Sequence, residues 1–136
     1  AEEERGHHAS SVSCATTPIY MADGYGNRIQ VFGSDGTFLR KWGGPLARGI
    51  YGPFNGWITT VTSIAFGPDG NLFVADFYND RVQKFAPDGT FLAAFGTTGT
   101  GPGAFRHAIA ITVADDGSVF VADFLNNRIQ KWRPRQ

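Results

Sequence analysis

The sequence predicts an all-β chain built from three four-stranded antiparallel units, the last of which lacks its outer strand. Three observations predict it. Three segments of the chain align without gaps over their central part. Asp-Gly pairs fall at fixed places between the apolar runs, and Asp-Gly is the strongest short hairpin signal because glycine supplies φ > 0. Gly (18) and Phe (12) are abundant and no stretch sustains a helical period, a composition of glycine turns and aromatic strands.

The elements follow in order. Lettering the strands of a unit a to d, strand b is Ile19-Tyr20-Met21-Ala22-Asp23, then Leu72-Phe73-Val74-Ala75-Asp76, then Val119-Phe120-Val121-Ala122-Asp123. These runs are apolar at successive positions, as expected of strands packed on both faces. Strand c begins at the arginine five positions after each aspartate: Arg28, Arg81 and Arg128. An aromatic residue follows four positions later: Phe32, Phe85 and Trp132. Strand d follows the second Asp-Gly, Asp35-Gly36 or Asp88-Gly89, and closes on Trp42-Gly43 or Phe95-Gly96. Strand a is Ser63–Phe66 or Ala110–Val113, before Asp69-Gly70 and Asp116-Gly117. The first strand a would be Ser10–Ser13, which is poor in apolar residues, so residues 1–17 read as an arm and a possible strand donor. The units then span about 18–43, 61–96 and 107–136. The third unit reaches Arg133-Pro134-Arg135-Gln136 where the turn into strand d would begin. Asp23 and Asp76 stand 53 residues apart, Asp76 and Asp123 only 47, and the surplus lies around 45–60.

A four-stranded sheet repeated every 40 to 50 residues is a propeller blade. The pattern Val-Ala-Asp-x-x-Asn-x-Arg-[Ile/Val]-Gln-[Val/Lys]-[Phe/Trp], then Asp-Gly, then Phe-Gly, resembles the NHL repeat over about residues 18–136. Asn79 and Asn126 hold the family asparagine position, and Gly26 stands there in the first unit. The resemblance implies radially arranged blades, with the b–c and d–a loops on one face. Three blades do not make the usual closed ring of about four to eight. An open arc exposes the apolar sides of its end blades, and the open edge of the third blade invites a strand. The expectation is therefore a homo-oligomer, either a dimer of half-propellers or a head-to-tail filament. The third possibility is a fragment of a longer protein.

Bulk composition narrows the function. Lys+Arg and Asp+Glu are 12 each, net charge zero, so no overall field favours nucleic acid. The locally basic segment Arg128–Arg135 reads as a solvated terminus. No apolar run approaches the ~20 residues of a membrane span, and no signal peptide is present. Cys14 is alone, which excludes an intrachain disulfide and leaves an intermolecular one open. A chain starting at Ala1 without Met fits signal removal, Met removal or a fragment. An extracellular or cell-surface location is the expectation, with the cytoplasm as the alternative.

Candidate chemistry is sparse. Asp23, Asp76 and Asp123 look like a carboxylate set, but each recurs once per blade with Arg28, Arg81 or Arg128 five residues on. Repetition argues for architecture, with each Asp bonding backbone N–H groups in the b–c turn and each Arg bonding carbonyls or the Asp. His7 and His8 in a flexible arm, with His107, make poor preorganised metal ligands. The glycine-rich stretch Gly96–Gly103 lacks the Lys-Ser/Thr of a phosphate loop and reads as the d–a connection. No cofactor is expected.

The b–c loops carry the binding expectation: Tyr25, then Phe77 and Tyr78, then Phe124 and Leu125, joined by Phe54 and Trp57 of the long connection. Large apolar tips are costly unless packed on a neighbouring blade or bound. The sequence thus points to a structural or interaction module, not an enzyme, that self-associates and presents loop faces to another protein. A glycan- or RNA-binding face is the alternative, and a metal-dependent lyase-like propeller enzyme a more distant one.

Overall fold

The computed structural model describes residues 9–13 and 18–133. Thirteen strands run along the chain among these residues. The first sheet holds β1 (Ala9–Ser13), β2 (Ile19–Asp23), β3 (Arg28–Phe32) and β4 (Phe38–Trp42), in that order. The second holds β5 (Val61–Phe66), β6 (Leu72–Asp76), β7 (Arg81–Phe85) and β8 (Phe91–Phe95). A two-residue parallel pair, β9 (Thr97–Thr98) with β10 (Ala104–Phe105), ties the next connection. The third sheet holds β11 (Ala108–Val113), β12 (Val119–Asp123) and β13 (Arg128–Trp132). All pairings within the three main sheets are antiparallel. The architecture is an open, partial propeller of meander sheets, and the third has three described strands.

The repeat arithmetic becomes register. A five-residue offset across a tight turn places aspartate and arginine directly opposite one another: Asp23 against Arg28, Asp76 against Arg81, Asp123 against Arg128. Each a–b pairing carries a bulge at the same place, between Ala9 and Ser11, Val61 and Ser63, Ala108 and Ala110. A bulge repeated in every unit bends each inner strand alike. The Asp-Gly turns form as the sequence predicts. Gly36 and Gly70 have φ of 87° and 83°, and the Asp35 and Asp69 carboxylates accept the Thr37 and Asn71 amides at 2.9 and 3.1 Å.

The first strand a falls where the sequence placed it, at Ser10–Ser13, one residue longer at its start. Ala9–Ser13, inside the span read as an arm, pairs with β2 as the first strand a. Ladder pairing uses backbone groups alone, so a strand poor in apolar side chains still closes the sheet. Residues 1–8, Cys14 and the remainder of the arm lie outside the described residues.

The core lies between blades. One cluster joins Tyr20, Ala22, Ile29, Val31 and Trp42 of the first sheet to Val61, Leu72, Val74 and Phe85 of the second. The other joins Phe73, Ala75 and Val82 of the second sheet to Ala108, Val119 and Val121 of the third. The second sheet therefore has a forward side packed on its successor and a backward side packed on its predecessor, while the first packs only forward and the third only backward among the described residues. The aromatic that closes strand d sits against the aromatic of the next strand c: Trp42 on Phe85 at 5.7 Å, Phe95 on Trp132 at 4.3 Å. The innermost strands also bond across blades, Ser63 Oγ accepting the Ile111 amide at 3.1 Å and Thr62 Oγ1 donating to the Ala108 carbonyl at 3.2 Å.

Candidate functional site

The aspartate–arginine pairs are the centres of three similar polar networks. Arg Nε meets Asp Oδ2 at 2.8, 2.7 and 2.8 Å in the successive blades. A glutamine from the same strand c donates to that oxygen as well: Gln30 and Gln83 at 3.1 Å, Gln130 at 3.2 Å. Asn79 and Asn126 add a further donor in blades two and three. The arginine head reaches outward to the d–a connection. Arg81 donates to the carbonyls of Pro53, Phe54 and Trp57, each at 2.9 Å. Arg128 does the same to Thr100, Gly101 and Ala104, each at 2.8 Å. The second carboxylate oxygen accepts an amide just before strand a, Thr59 for Asp76 and Arg106 for Asp123. The sequence had placed these acceptances in the b–c turn. The structure places them one connection away, because the d–a segment folds back over the end of strand b.

The chemistry of the networks is architectural. Both carboxylate oxygens of Asp76 accept internal donors, so the carboxylate is committed to holding two loops together. Burial pushes the Asp76 carboxyl up from its ordinary value, against the opposing pull of Thr59, Asn79 and Arg81. At Asp123 burial also pushes up, but Arg106, Asn126, Arg128 and Gln130 outweigh it and hold the carboxyl below its ordinary value. Direct exposure of the two carboxylates is zero. They differ in depth, since the third blade follows the blade of Asp76, whereas no further blade among the described residues follows that of Asp123.

The b–c loops of blades two and three are single 3-10 turns, Phe77–Asn79 and Phe124–Asn126, each closed by a residue with φ of 53°, Asp80 and Asn127. Asn27 holds the corresponding place in blade one with φ of 55°. Asparagine and aspartate tolerate this left-handed region better than other side-chain-bearing residues. Asn27 and Asp80 also reach forward to the next blade. Asn27 Oδ1 accepts the Thr60 amide and Asp80 Oδ1 the His107 amide, each at 2.7 Å. Thr60 and His107 in turn present their carbonyls to their own blade's turn, accepting from Phe77 and Phe124 at 3.1 and 3.0 Å. These junctions were missed from sequence. The one available signal was a short polar residue immediately before each arginine.

The loop aromatics divide into two kinds. Phe77 stacks on His107 of the following blade, ring centroids 4.4 Å apart, and Tyr78 meets the same imidazole edge-on at 5.3 Å. Phe54 and Trp57 form their own edge-to-face pair at 4.9 Å. The Asn79 amide fastens the 52–59 segment to the b–c turn through the Gly52 carbonyl at 2.9 Å. Tyr25, Phe54, Tyr78, Phe124 and Leu125 keep more than half of their surface exposed. Leu46, Ile50 and Tyr51 of the long connection are exposed as well, and sequence reasoning had not singled them out. His7 and His8 lie outside the described residues, and His107 is occupied by Phe77, Tyr78 and Asp80. Among the described residues no group of three or more His, Cys, Asp or Glu is placed to hold a metal ion. No helix among them is long and apolar enough to cross a membrane.

Comparison with known proteins agrees with this geometry. Residues 61–85 match the model of the NHL repeat. The peptidyl-glycine alpha-amidating monooxygenase A of Xenopus laevis is 42% identical over 96 residues, which are 65% of this chain and 10% of that protein. Among solved structures, the WD40 beta propeller domain of Doa1 superposes with a TM-score of 0.69 at 13% identity, over 93% of this chain and 38% of that one. The virginiamycin B lyase of Staphylococcus aureus superposes at 0.62 with 16% identity, over 90% and 40% of the two chains. A streptogramin B lyase superposes at 0.60 with 18% identity, over 92% and 41%. The chain thus spans a tenth of its curated relative and well under half of each propeller. Enzymes are among the proteins it is similar to, and at these identities the structural likeness shows the fold alone.

Proposed function

We propose that these NHL-type blades act as a protein-interaction module whose first partner is a second copy of the same chain. One observation carries the reading. Ile29 and Val82, at equivalent places on the forward sides of blades one and two, have no exposed surface, whereas Ile129 at the same place in blade three is 72% exposed. Phe120 and Ala122, partly exposed, continue that side, where Tyr20 and Ala22 or Phe73 and Ala75 are buried in the other blades. At the other end, the backward side of blade one offers Ile19, Met21 and Phe32, all partly exposed, where Leu72, Val74 and Phe85 are buried in blade two. The two uncovered sides are thus the two halves of an interface that the chain already makes twice within itself. Covering Ile129 alone is worth about 2 kcal/mol, or roughly thirtyfold in a dissociation constant.

Sedimentation velocity over a concentration series tests this. The expected species at micromolar concentration is an oligomer of the 14.7 kDa chain, and Ile129→Arg returns it to monomer by placing a charge in an apolar contact. A wild-type chain that stays monomeric to about 100 µM sinks the proposal.

The loop face supports a second contact, with a different protein. Its exposed rings stand on turns fixed by the aspartate–arginine networks, so they are presented at little entropic cost. Peptides selected from a display library on the immobilised chain should lose binding on Tyr78→Ser with the fold intact. Selected binders that ignore Tyr25, Tyr78 and Phe124 alike would count against this face. The proposal assigns no catalysis, because the repeated carboxylates are engaged in holding loops.

A further inference from the structure

We propose that the partner of the loop face is an acidic peptide, its carboxylates taken by Arg48 and Arg106 and its apolar side chains laid against Phe54, Tyr78 and Leu125. The inference rests on reading that face as a docking surface for a different protein, and it names the chemistry of that protein. Charge is divided unevenly between the two rims of the blades. The far rim is formed by the a–b and c–d turns, where Asp35, Asp69, Asp88, Asp115 and Asp116 are exposed. Cations stand among these acids: Lys84 binds Asp69 at 2.8 Å, Arg40 offsets Asp88, and Lys131 with Arg133 offsets Asp116. The loop face is formed by the b–c turns and the d–a connections. Its aspartates among the described residues are buried, Asp23, Asp76 and Asp123 inside their networks and Asp80 against Thr98 and His107. Arg48 and Arg106 are exposed there, and no hydrogen bond or ion pair to a described residue holds either guanidinium.

Short bonds set the apolar tips and these cations in one row. Asn27 donates to the carbonyl of Gly49, beside Arg48, at 3.2 Å. Asn79 donates to the Gly52 carbonyl at 2.9 Å and the Tyr78 amide to Thr59 at 3.2 Å, so the Phe54 segment and the second b–c turn lie side by side. The Tyr78 ring meets His107, next to Arg106, at 5.3 Å, and the Leu125 amide donates to the Arg106 carbonyl at 3.0 Å. Arg106 therefore sits between the second and third turns, and Arg48 beside the first. An arginine fork takes a carboxylate through two parallel bonds, which fixes an extended acidic chain in place along the row. A bilayer suits the face less well, because two cations fall far short of the roughly four to eight that anchor a polybasic segment to an anionic membrane.

The test separates the acidic preference from the apolar contact around it. Peptides selected from a display library on the immobilised chain are resynthesised as selected and with every Asp and Glu changed to Asn and Gln. Acidic sequences should be enriched, and the amide forms should bind about tenfold more weakly. Arg106→Gln, with an unchanged melting temperature, should weaken the acidic forms by about the same factor and leave the amide forms within about twofold. Asp88→Asn on the far rim should change neither. Raising salt from about 0.05 to about 0.5 M should narrow the gap between the two forms. Peptides that need Tyr78 yet bind equally well as amides, or that ignore Arg48→Gln and Arg106→Gln alike, overturn the acidic partner and leave the face standing. Peptides that ignore Tyr25, Tyr78 and Phe124 alike remove the face and the acidic partner together. Capture of phosphatidylserine vesicles in place of the selected peptides assigns the face to a membrane and overturns the proposal as well.

Discussion

Arg81 and Arg128 make matching sets of bonds in two blades, so their loss separates geometry from burial. Arg81 gives four hydrogen bonds, one to Asp76 and three to carbonyls of the 53–57 segment. Its side chain is 11% exposed and its aspartate partner is wholly buried. Arg81→Ala leaves the wholly buried Asp76 carboxylate without its countercharge, a loss of about 3–5 kcal/mol. Arg128 makes the same four kinds of bond but is 30% exposed. Water replaces part of what its removal takes away, and the expected loss is about 1–2 kcal/mol. At roughly 3 °C per kcal/mol the two variants should melt about 9–15 °C and 3–6 °C below their parent. The parent should be the Ile129→Arg chain, so that assembly covers neither site.

The pH dependence sharpens the comparison. Burial already holds the Asp76 carboxyl above its ordinary value. Without Arg81 it rises further, and a carboxyl raised on folding stabilises the fold only below its unfolded value, a contribution lost as pH climbs through the folded value. The Arg81→Ala deficit should therefore be smaller near pH 4 than at pH 7. Calorimetric melts of both variants at the two pH values decide the matter. Equal losses for Arg81→Ala and Arg128→Ala, or an Arg81→Ala deficit that ignores pH, would refute the argument from depth.

Further outcomes follow from the same structure. In a carboxyl NMR titration of the monomeric background, Asp76 should titrate above the ordinary aspartate value and Asp123 below it; in the assembled wild type Asp123 should move upward, because a blade then lies over it. Asp123 in the monomer stabilises the fold above the unfolded aspartate value, and this contribution fades as pH falls through its lowered folded value. Thr60, β-branched at φ 64°, is strained, so Thr60→Asn should raise stability by about 1 kcal/mol in a thermal melt. Gly49→Ala should lower stability by at least about 2 kcal/mol, since φ is +70° and a Cβ would press on the Gly26 carbonyl oxygen.

The blade was legible in the sequence because its main rules are local. Strand c begins at Arg28, Arg81 and Arg128 as the motif predicts, and the Asp-Gly turns fall where φ > 0 is needed. In the middle blade strand b is apolar on both faces because both faces meet another sheet. Legibility failed where backbone did the work. The aspartates were read as accepting amides of the b–c turn, yet Asp76 and Asp123 accept the amides of Thr59 and Arg106, in a connection more than 15 residues distant. The Asn27 and Asp80 junctions escaped notice because their partners are main-chain amides, which have no sequence identity.

Thr60 and His107 each stand in two blades at once, giving an amide to the blade behind and a carbonyl to the turn of their own. Such a residue cannot let go of one blade without disturbing the other. The blades should therefore unfold as coupled neighbours along a line, not as three separate domains. The middle blade holds a junction on each flank, and the outer two hold one each within the chain. Amide exchange should accordingly be slowest in β6 and β7 and quicken toward both ends, a gradient set by position in the line and not by the sequence of any one blade.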